Sequence, residues 1–329
     1  MKVVITGGTG FIGRRLADTI LKKGGLTGPS VTEERVEELV LFDQLVPDGF
    51  DLGSDPRLAI VQGDISDKAT IDRLIDRDDI SVFHLASVVS GGGEKDFDLA
   101  MRVNLDGGRH IMEALRARSS VPRLVLASSI AVFGGAAMPD QVGDKTKQTP
   151  QTTYGITKAI SELLINDYTR KGFLDGRSAR LPTVIIRPGK PNAAASSFVS
   201  GLFREPLNGV DIALPVKEST LMPVLGYRAI VDGIIRLHEL PSDALGDDRA
   251  LSLPALTVTV TDMLDALDRV ADGKPLGKIT IEPDPFIEEI VTSWARDTYY
   301  DRAIALGLPK EDSIDEIISY YIDDYLNHA

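Results

Sequence analysis

Along the first half of the chain, short runs of β-branched and other apolar residues alternate with longer segments whose apolar positions recur every three or four residues. The short runs read as strands near Lys2–Thr6, Leu39–Phe42, Leu58–Gln62, Ser81–Leu85, Arg123–Ala127 and Thr183–Arg187. The longer segments predict helices over Phe11–Lys23, Lys68–Asp76, Phe97–Arg118 and Thr153–Lys171. Strands joined by helical crossovers build a doubly wound parallel sheet, so the expected class is α/β. After Arg187 the texture changes to Pro188-Gly189-Lys190-Pro191-Asn192, and proline and glycine recur up to about Gly226. A boundary near residue 187 follows, with 1–187 as the sheet domain and 188–329 mainly a smaller lobe of loops and short elements. Some of its segments are expected to return to the first domain. Amphipathic helices resume around Thr261–Ala271, Phe286–Thr298 and Ile314–Leu326, while Gly24–Thr32 reads as an insertion and Ala136–Thr152 as a polar loop.

Composition narrows the partners more than the fold. The chain has 329 residues, 43% hydrophobic and 26% charged, which is ordinary for a globular protein with a large core. Its formal net charge of −13 disfavours nucleic acid and anionic membranes, although a local basic pocket can still hold a small anion. The absence of cysteine excludes disulfides and thiolate chemistry. His84, His110, His238 and His328 are scattered without ligand spacing, so no metal is expected. Met1-Lys2-Val3-Val4-Ile5-Thr6 runs straight into glycines and no apolar run reaches membrane length, so a cytoplasmic protein without a membrane partner is the expectation.

Two patterns carry chemistry. Directly after the first strand, Thr6-Gly7-Gly8-Thr9-Gly10-Phe11-Ile12-Gly13 forms a glycine-rich turn that opens a helix. Gly7 permits the tight turn, Gly10 lets the backbone approach a pyrophosphate, and Gly13 lets helix and strand pack closely. The helix amino terminus adds free N–H groups and a partial positive charge. This is a dinucleotide site of Rossmann type. Asp43, at the end of the second strand, can accept hydrogen bonds from the ribose hydroxyls of NAD and would repel the extra phosphate of NADP. It lies about thirty residues past Gly13 instead of about twenty, which the insertion explains. The second pattern is Tyr154-Gly155-Ile156-Thr157-Lys158, where one helical turn stacks a phenol and an ammonium on one face. A neighbouring cation favours the phenolate, which makes Tyr154 a candidate general base.

Together these residues resemble the extended short-chain dehydrogenase/reductase superfamily, over essentially the whole chain. Ser129, in Ala127-Ser128-Ser129-Ile130-Ala131-Val132-Phe133-Gly134, matches the superfamily's strand-end serine and precedes Tyr154 by twenty-five residues. The resemblance implies Ser129, Tyr154 and Lys158 as the catalytic set. It implies NAD held by Gly7, Gly10, Phe11, Ile12, Gly13, Asp43, Asp64, Ile65, Leu85, Ala86, Asn104, Tyr154, Lys158 and Pro188. Within the superfamily, Val88-Val89-Ser90-Gly91-Gly92 with Asp96-Phe97-Asp98, and Arg187-Pro188-Gly189-Lys190-Pro191-Asn192 with Arg204-Glu205-Pro206-Leu207, are similar to NAD-dependent sugar-acid dehydrogenases. That likeness implies oxidation of the hydroxyl next to the carboxylate of a small sugar acid, giving a 2-oxo acid. Lys190, Arg204 and Arg228 are the basic candidates for the carboxylate, and Ser87, Ser90, Ser129, Tyr154 and Asn192 the polar contacts to hydroxyls. Two readings stay beside it: an epimerase or dehydratase that returns the hydride to its substrate, and a dinucleotide-sensing protein without chemistry. A homodimer through the Phe97–Arg118 and Thr153–Lys171 helices is implied by the superfamily.

Overall fold

The computed structural model describes residues 1–50, 52–191 and 194–327. Seven strands form one parallel sheet: β1 (Lys2–Thr6), β2 (Glu38–Asp43), β3 (Leu58–Gln62), β4 (Ile80–His84), β5 (Arg123–Ser129), β6 (Asp175–Leu181) and β7 (Ala250–Ser252). Their spatial order is β7-β6-β5-β4-β1-β2-β3. The winding therefore reverses at β1, which pairs with β2 on one side and β4 on the other, with Thr6 opposite both Phe42 and His84. Such a reversal leaves a crevice outside the carboxyl ends of the strands, where α/β proteins bind ligands.

Both faces of the sheet are covered by helices. Phe11–Lys23 buries Leu16, Ala17, Ile20 and Leu21, the stripe that its 3.6-residue period dictates. It shares one core with Val3, Ile5, Leu39 and Leu41 of the strands and with Ile230, Ile234 and Leu237 of the helix Tyr227–Glu239. The opposite face packs Val4, Val40 and Val82 against Ile71, Ile111 and Leu115 of the helices Lys68–Leu74 and Gly107–Arg116. A third core joins the helices Ser197–Leu207, Val260–Ala271 and Ile314–Tyr325 around Phe203, Met263 and Ile318. No helix among the described residues is long and apolar enough to cross a membrane.

The structure corrects the sixth strand. Thr183–Ile185 is a strand, but it pairs with Leu221–Gly226 in a separate three-stranded sheet completed by Leu256–Thr259. The place beside β5 in the main sheet belongs to Asp175-Gly176-Arg177-Ser178-Ala179-Arg180-Leu181, whose polar sequence hides a buried strand. Its charges are paired internally. Arg177 is fully buried and bonds Asp175 and the carbonyls of Leu237, His238 and Leu240, and Arg123 and Arg249 also reach Asp175. Arg177 and Arg123 donate to buried carbonyls at the carboxyl end of the Tyr227–Glu239 helix that lack helical partners. Other boundaries move less. Ser197–Leu207 is a regular helix where loops were expected, the helix from Pro285 stops at Thr292, and the insertion folds as a hairpin of Gly25–Thr27 with Glu33–Arg35.

Burial alone would raise the Asp175 carboxyl, yet the charge and hydrogen bond of Arg177, with Ser242 and Arg249, outweigh it and hold the group below the usual carboxylate range. A lowered folded-state value stabilises above the unfolded pKa and is lost as pH falls through the folded one. Asp175→Ala, which leaves three arginines facing one another, is expected to lower unfolding stability by about 3 kcal/mol. It should also flatten the decline of stability below about pH 4. Urea denaturation at pH 7 and pH 3.5 checks both.

Candidate active site

The turn after β1 is pressed against the loop after β4. Gly7 has φ +67°, and a Cβ there would lie 2.9 Å from Ala86 N, so no other residue fits without backbone movement. A Cβ on Gly13 would lie 2.5 Å from Gly7 O, which keeps the helix Phe11–Lys23 tight on the turn. That helix begins at Gly10 without a capping side chain, leaving its first N–H groups to a ligand. Thr6 seals the floor: its hydroxyl lies 2.7 Å from His84 Nδ1 and accepts from Ala86 N at 3.2 Å. Burial holds His84 neutral, down at about 3.

Three adjoining cavities wrap this turn. The first, about 290 Å³, is lined by Gly7, Gly10, Asp43, Gly63, Asp64, Ile65, Leu85 and Ala86. The second, about 640 Å³, shares Gly10 and adds Phe11, Arg14, Arg187 and Pro188. The third, about 310 Å³, shares Phe11 and Arg187 and reaches Ile12, Ser129 and Tyr154. A dinucleotide fits this run: a carboxylate at one end, an uncapped helix terminus in the middle, a phenol at the other. Asp43 accepts from Thr9 N at 3.1 Å and Thr9 Oγ1 at 2.8 Å through one oxygen, which aims the carboxylate at the first cavity.

Tyr154 and Ser129 meet because Gly155 lets the helix Thr153–Arg170 approach the turn Ile130–Val132. A Cβ there would lie 2.1 Å from Ala131 O. The Thr152 hydroxyl caps this helix through Gly155 N at 3.1 Å. Tyr154 and Ser129 share a hydrogen bond. Burial raises the Tyr154 pKa and that bond opposes the rise, so without ligand the phenol is protonated. Sequence reasoning expected Lys158 to lower it. The buried ammonium instead donates to Ala127 O at 2.7 Å, with Nζ 5.5 Å from the Tyr154 ring centroid. Burial brings Lys158 down to about 8, against the opposing charge of Glu162 one turn along. Glu162 is itself buried and held by Arg180 at 2.8 Å and by Ser128 and Gln148. This paired carboxylate was not anticipated.

Several expected ligands do other work. Asn104 lies in a π turn, Met101–Asp106, and spends its amide on Val88 N at 2.7 Å, Val88 O at 3.0 Å, Ser87 Oγ and Thr157 Oγ1. It positions the 87–88 loop and lines none of the three cavities. Ser87 lines the first cavity, away from Tyr154, whereas buried Ser90 lines the third and accepts from Ala195 N, leaving its own proton to donate. Arg204 is buried against Glu205 and the Arg187 carbonyl. Arg228 faces the last helix, pairing with Asp324 at 2.7 Å and stacking 4.1 Å from the Tyr320 ring centroid. Lys190 is exposed and lines none of the three cavities. Asn192 lies outside the described residues. Arg187 and Trp294 line the catalytic cavity without having been anticipated. Arg187 carried a signal, its place at the end of an apolar run, and Trp294 carried none.

Residues 3–247 match the profile of the NAD dependent epimerase/dehydratase family. The chain belongs to that family. Among members, D-erythronate dehydrogenase of Cupriavidus necator is 46% identical over 98% of both chains, and that of Haemophilus influenzae 40% identical over 98% of this chain and 99% of its own. The crystal structure of a nucleoside-diphosphate-sugar epimerase from Agrobacterium tumefaciens superposes with a TM-score of 0.91 at 39% identity, covering 100% of this chain and 95% of the other. Family membership makes NAD the cofactor. Asp43→Ala is expected to raise the KM for NAD about tenfold and to narrow its advantage over NADP. Steady-state rates with both cofactors check this, and an unchanged NAD/NADP ratio would remove Asp43 from cofactor selection.

Proposed function

We propose that the protein oxidises a small sugar acid, of the D-erythronate kind, to a 2-oxo acid with NAD as acceptor. The observation that carries this reading is that Ser129 and Tyr154 face one cavity with Phe11 and Ile12 at the end of the glycine loop, with buried Lys158 one helical turn beyond Tyr154, in a chain 46% identical to a D-erythronate dehydrogenase along 98% of its length. When bound, NAD supplies the acceptor for the carbon-bound hydrogen, taken as hydride. Ser129 holds the reacting hydroxyl oxygen and Tyr154 removes its proton. Lys158 supplies the cation beside the phenol and a donor for the nicotinamide ribose, and Glu162 supports that charge. Phe11 and Ile12 wall the cavity with apolar surface, which keeps the reacting atoms out of bulk water. The cytoplasm, where NAD and free sugar acids meet, is the expected compartment.

The name of the Agrobacterium relative favours a second reading, epimerisation with return of the hydride. Net NADH separates the two. Incubation with NAD and a panel of four- to six-carbon aldonic and uronic acids is expected to give stoichiometric NADH with the four-carbon acids, and silence across the panel would overturn dehydrogenation. Tyr154→Phe should lower kcat by a factor of about a hundred or more while NAD binding persists. Because burial raises the Tyr154 pKa and the proton acceptor is its deprotonated form, kcat/KM should climb with pH into the alkaline range. A rate that falls between pH 6 and pH 9 would contradict the assignment.

Assembly belongs to the same reading. Phe97, Ile156 and Leu163 are apolar yet 59%, 42% and 64% exposed. Ile156 and Leu163 lie two turns apart on one face of the Tyr154 helix, as a dimer face requires. The double variant Ile156→Glu, Leu163→Glu should sediment as a monomer and the parent as a dimer. A monomeric parent would remove the homodimer.

A further inference from the structure

The catalytic cavity has one charged residue among its described lining residues, Arg187. Its main chain is clamped by the helix Ser197–Leu207: Arg187 N donates to Ser200 Oγ at 3.1 Å, and its carbonyl accepts from Arg204 at 2.7 Å. The guanidinium donates to the Lys190 carbonyl through one nitrogen. Among the described residues no carboxylate pairs with it, since Glu205 is taken by Arg204. Burial and the neighbouring Arg204 charge both work against its own charge. A half-buried guanidinium, repelled by a second arginine and with no carboxylate partner among the described residues, is a site that an anion completes.

We infer that Arg187 receives the carboxylate of the substrate and so makes the enzyme selective for an acid over a neutral polyol. The inference rests on the sugar-acid reading above. The reacting carbon is adjacent to the carboxylate in such a substrate, so the residue that binds the anion has to share the cavity of Tyr154 and Ser129. Arg187 does, whereas Arg204, Arg228 and Lys190 do not. The planar fork of a guanidinium takes both oxygens of a carboxylate and thereby fixes which face of the neighbouring carbon meets the cofactor. Arg187 also borders the middle cavity, where a cofactor pyrophosphate is the rival anion. That rival has its own donors in the uncapped start of the helix Phe11–Lys23.

Trp294 is the sole tryptophan of the chain and lines the same cavity, so its emission reports occupancy without turnover. The ligand-free protein, Arg187→Met and Arg187→Lys are titrated with D-erythronate and with erythritol following Trp294 emission, and the same three proteins are assayed with NAD by following NADH. Arg187→Met is expected to weaken the acid about 100-fold in KM and in the fluorescence Kd, with a smaller fall in kcat and unchanged NAD affinity. Arg187→Lys should recover part of the loss, and the preference for the acid over erythritol should collapse in the methionine variant. Unchanged acid affinity, an equal loss for erythritol, or a loss confined to NAD would each overturn the inference. If the parent forms no NADH with any sugar acid, it is the functional reading that fails. The titration of acid against polyol then still decides the role of Arg187, because it needs no turnover.

Discussion

The contact on which the rest of the molecule depends is backbone against backbone, where the turn after β1 meets the loop after β4. Gly7 sits so close to Ala86 that a single added carbon would collide. That contact exists because β1 lies between β2 and β4, at the point where the sheet reverses its direction of winding. Two loops diverge there and open a crevice, and the helix terminus at Gly10 points into it. The three cavities are successive parts of this one crevice. The Asp43 carboxylate and the Ser129 hydroxyl lie at its two ends because β2 and β5 carry them to the same edge of the sheet, and the helix Thr153–Arg170 brings Tyr154 to the same cavity as Ser129.

Burial sets the chemistry at the Tyr154 end. Lys158, Glu162 and Arg180 are all withdrawn from water, and each is stabilised by another of the set or by a carbonyl. Burial raises the Tyr154 pKa and the neighbouring Ser129 opposes the rise, so Tyr154 remains protonated in the ligand-free protein, while Lys158 donates to Ala127 O.

The three-stranded sheet of Thr183–Ile185, Leu221–Gly226 and Leu256–Thr259 supplies Thr183 and Val184 to the wall of the third cavity, and the helix Ser197–Leu207 fixes the main chain of Arg187. A relative whose printed name is a nucleoside-diphosphate-sugar epimerase shares this scaffold at a TM-score of 0.91. The fold therefore leaves the choice of substrate to the few side chains that face Tyr154.

Local patterns were legible wherever the chain obeys a period or a backbone rule. The strands around Val3–Ile5 and Leu39–Leu41, the helix Phe11–Lys23 and the glycine turn follow from apolar spacing and from what glycine alone permits. The order Ser129, Tyr154, Lys158 was readable for the same reason, because one helical turn and one strand end are local units. What the sequence could not disclose depends on neighbours far along the chain. Asp175–Leu181 looks like a loop, since its arginines and serine have no apolar pattern, yet it is a strand of the main sheet once Asp175, Glu162 and the carbonyls of Leu237, His238 and Leu240 neutralise them. Arg204 and Arg228 looked free to bind an anion until folding gave them Glu205 and Asp324. Among the described residues no carboxylate pairs with Arg187. A charge's role is decided by what lies within a few ångströms of it, and only the tertiary structure sets those distances.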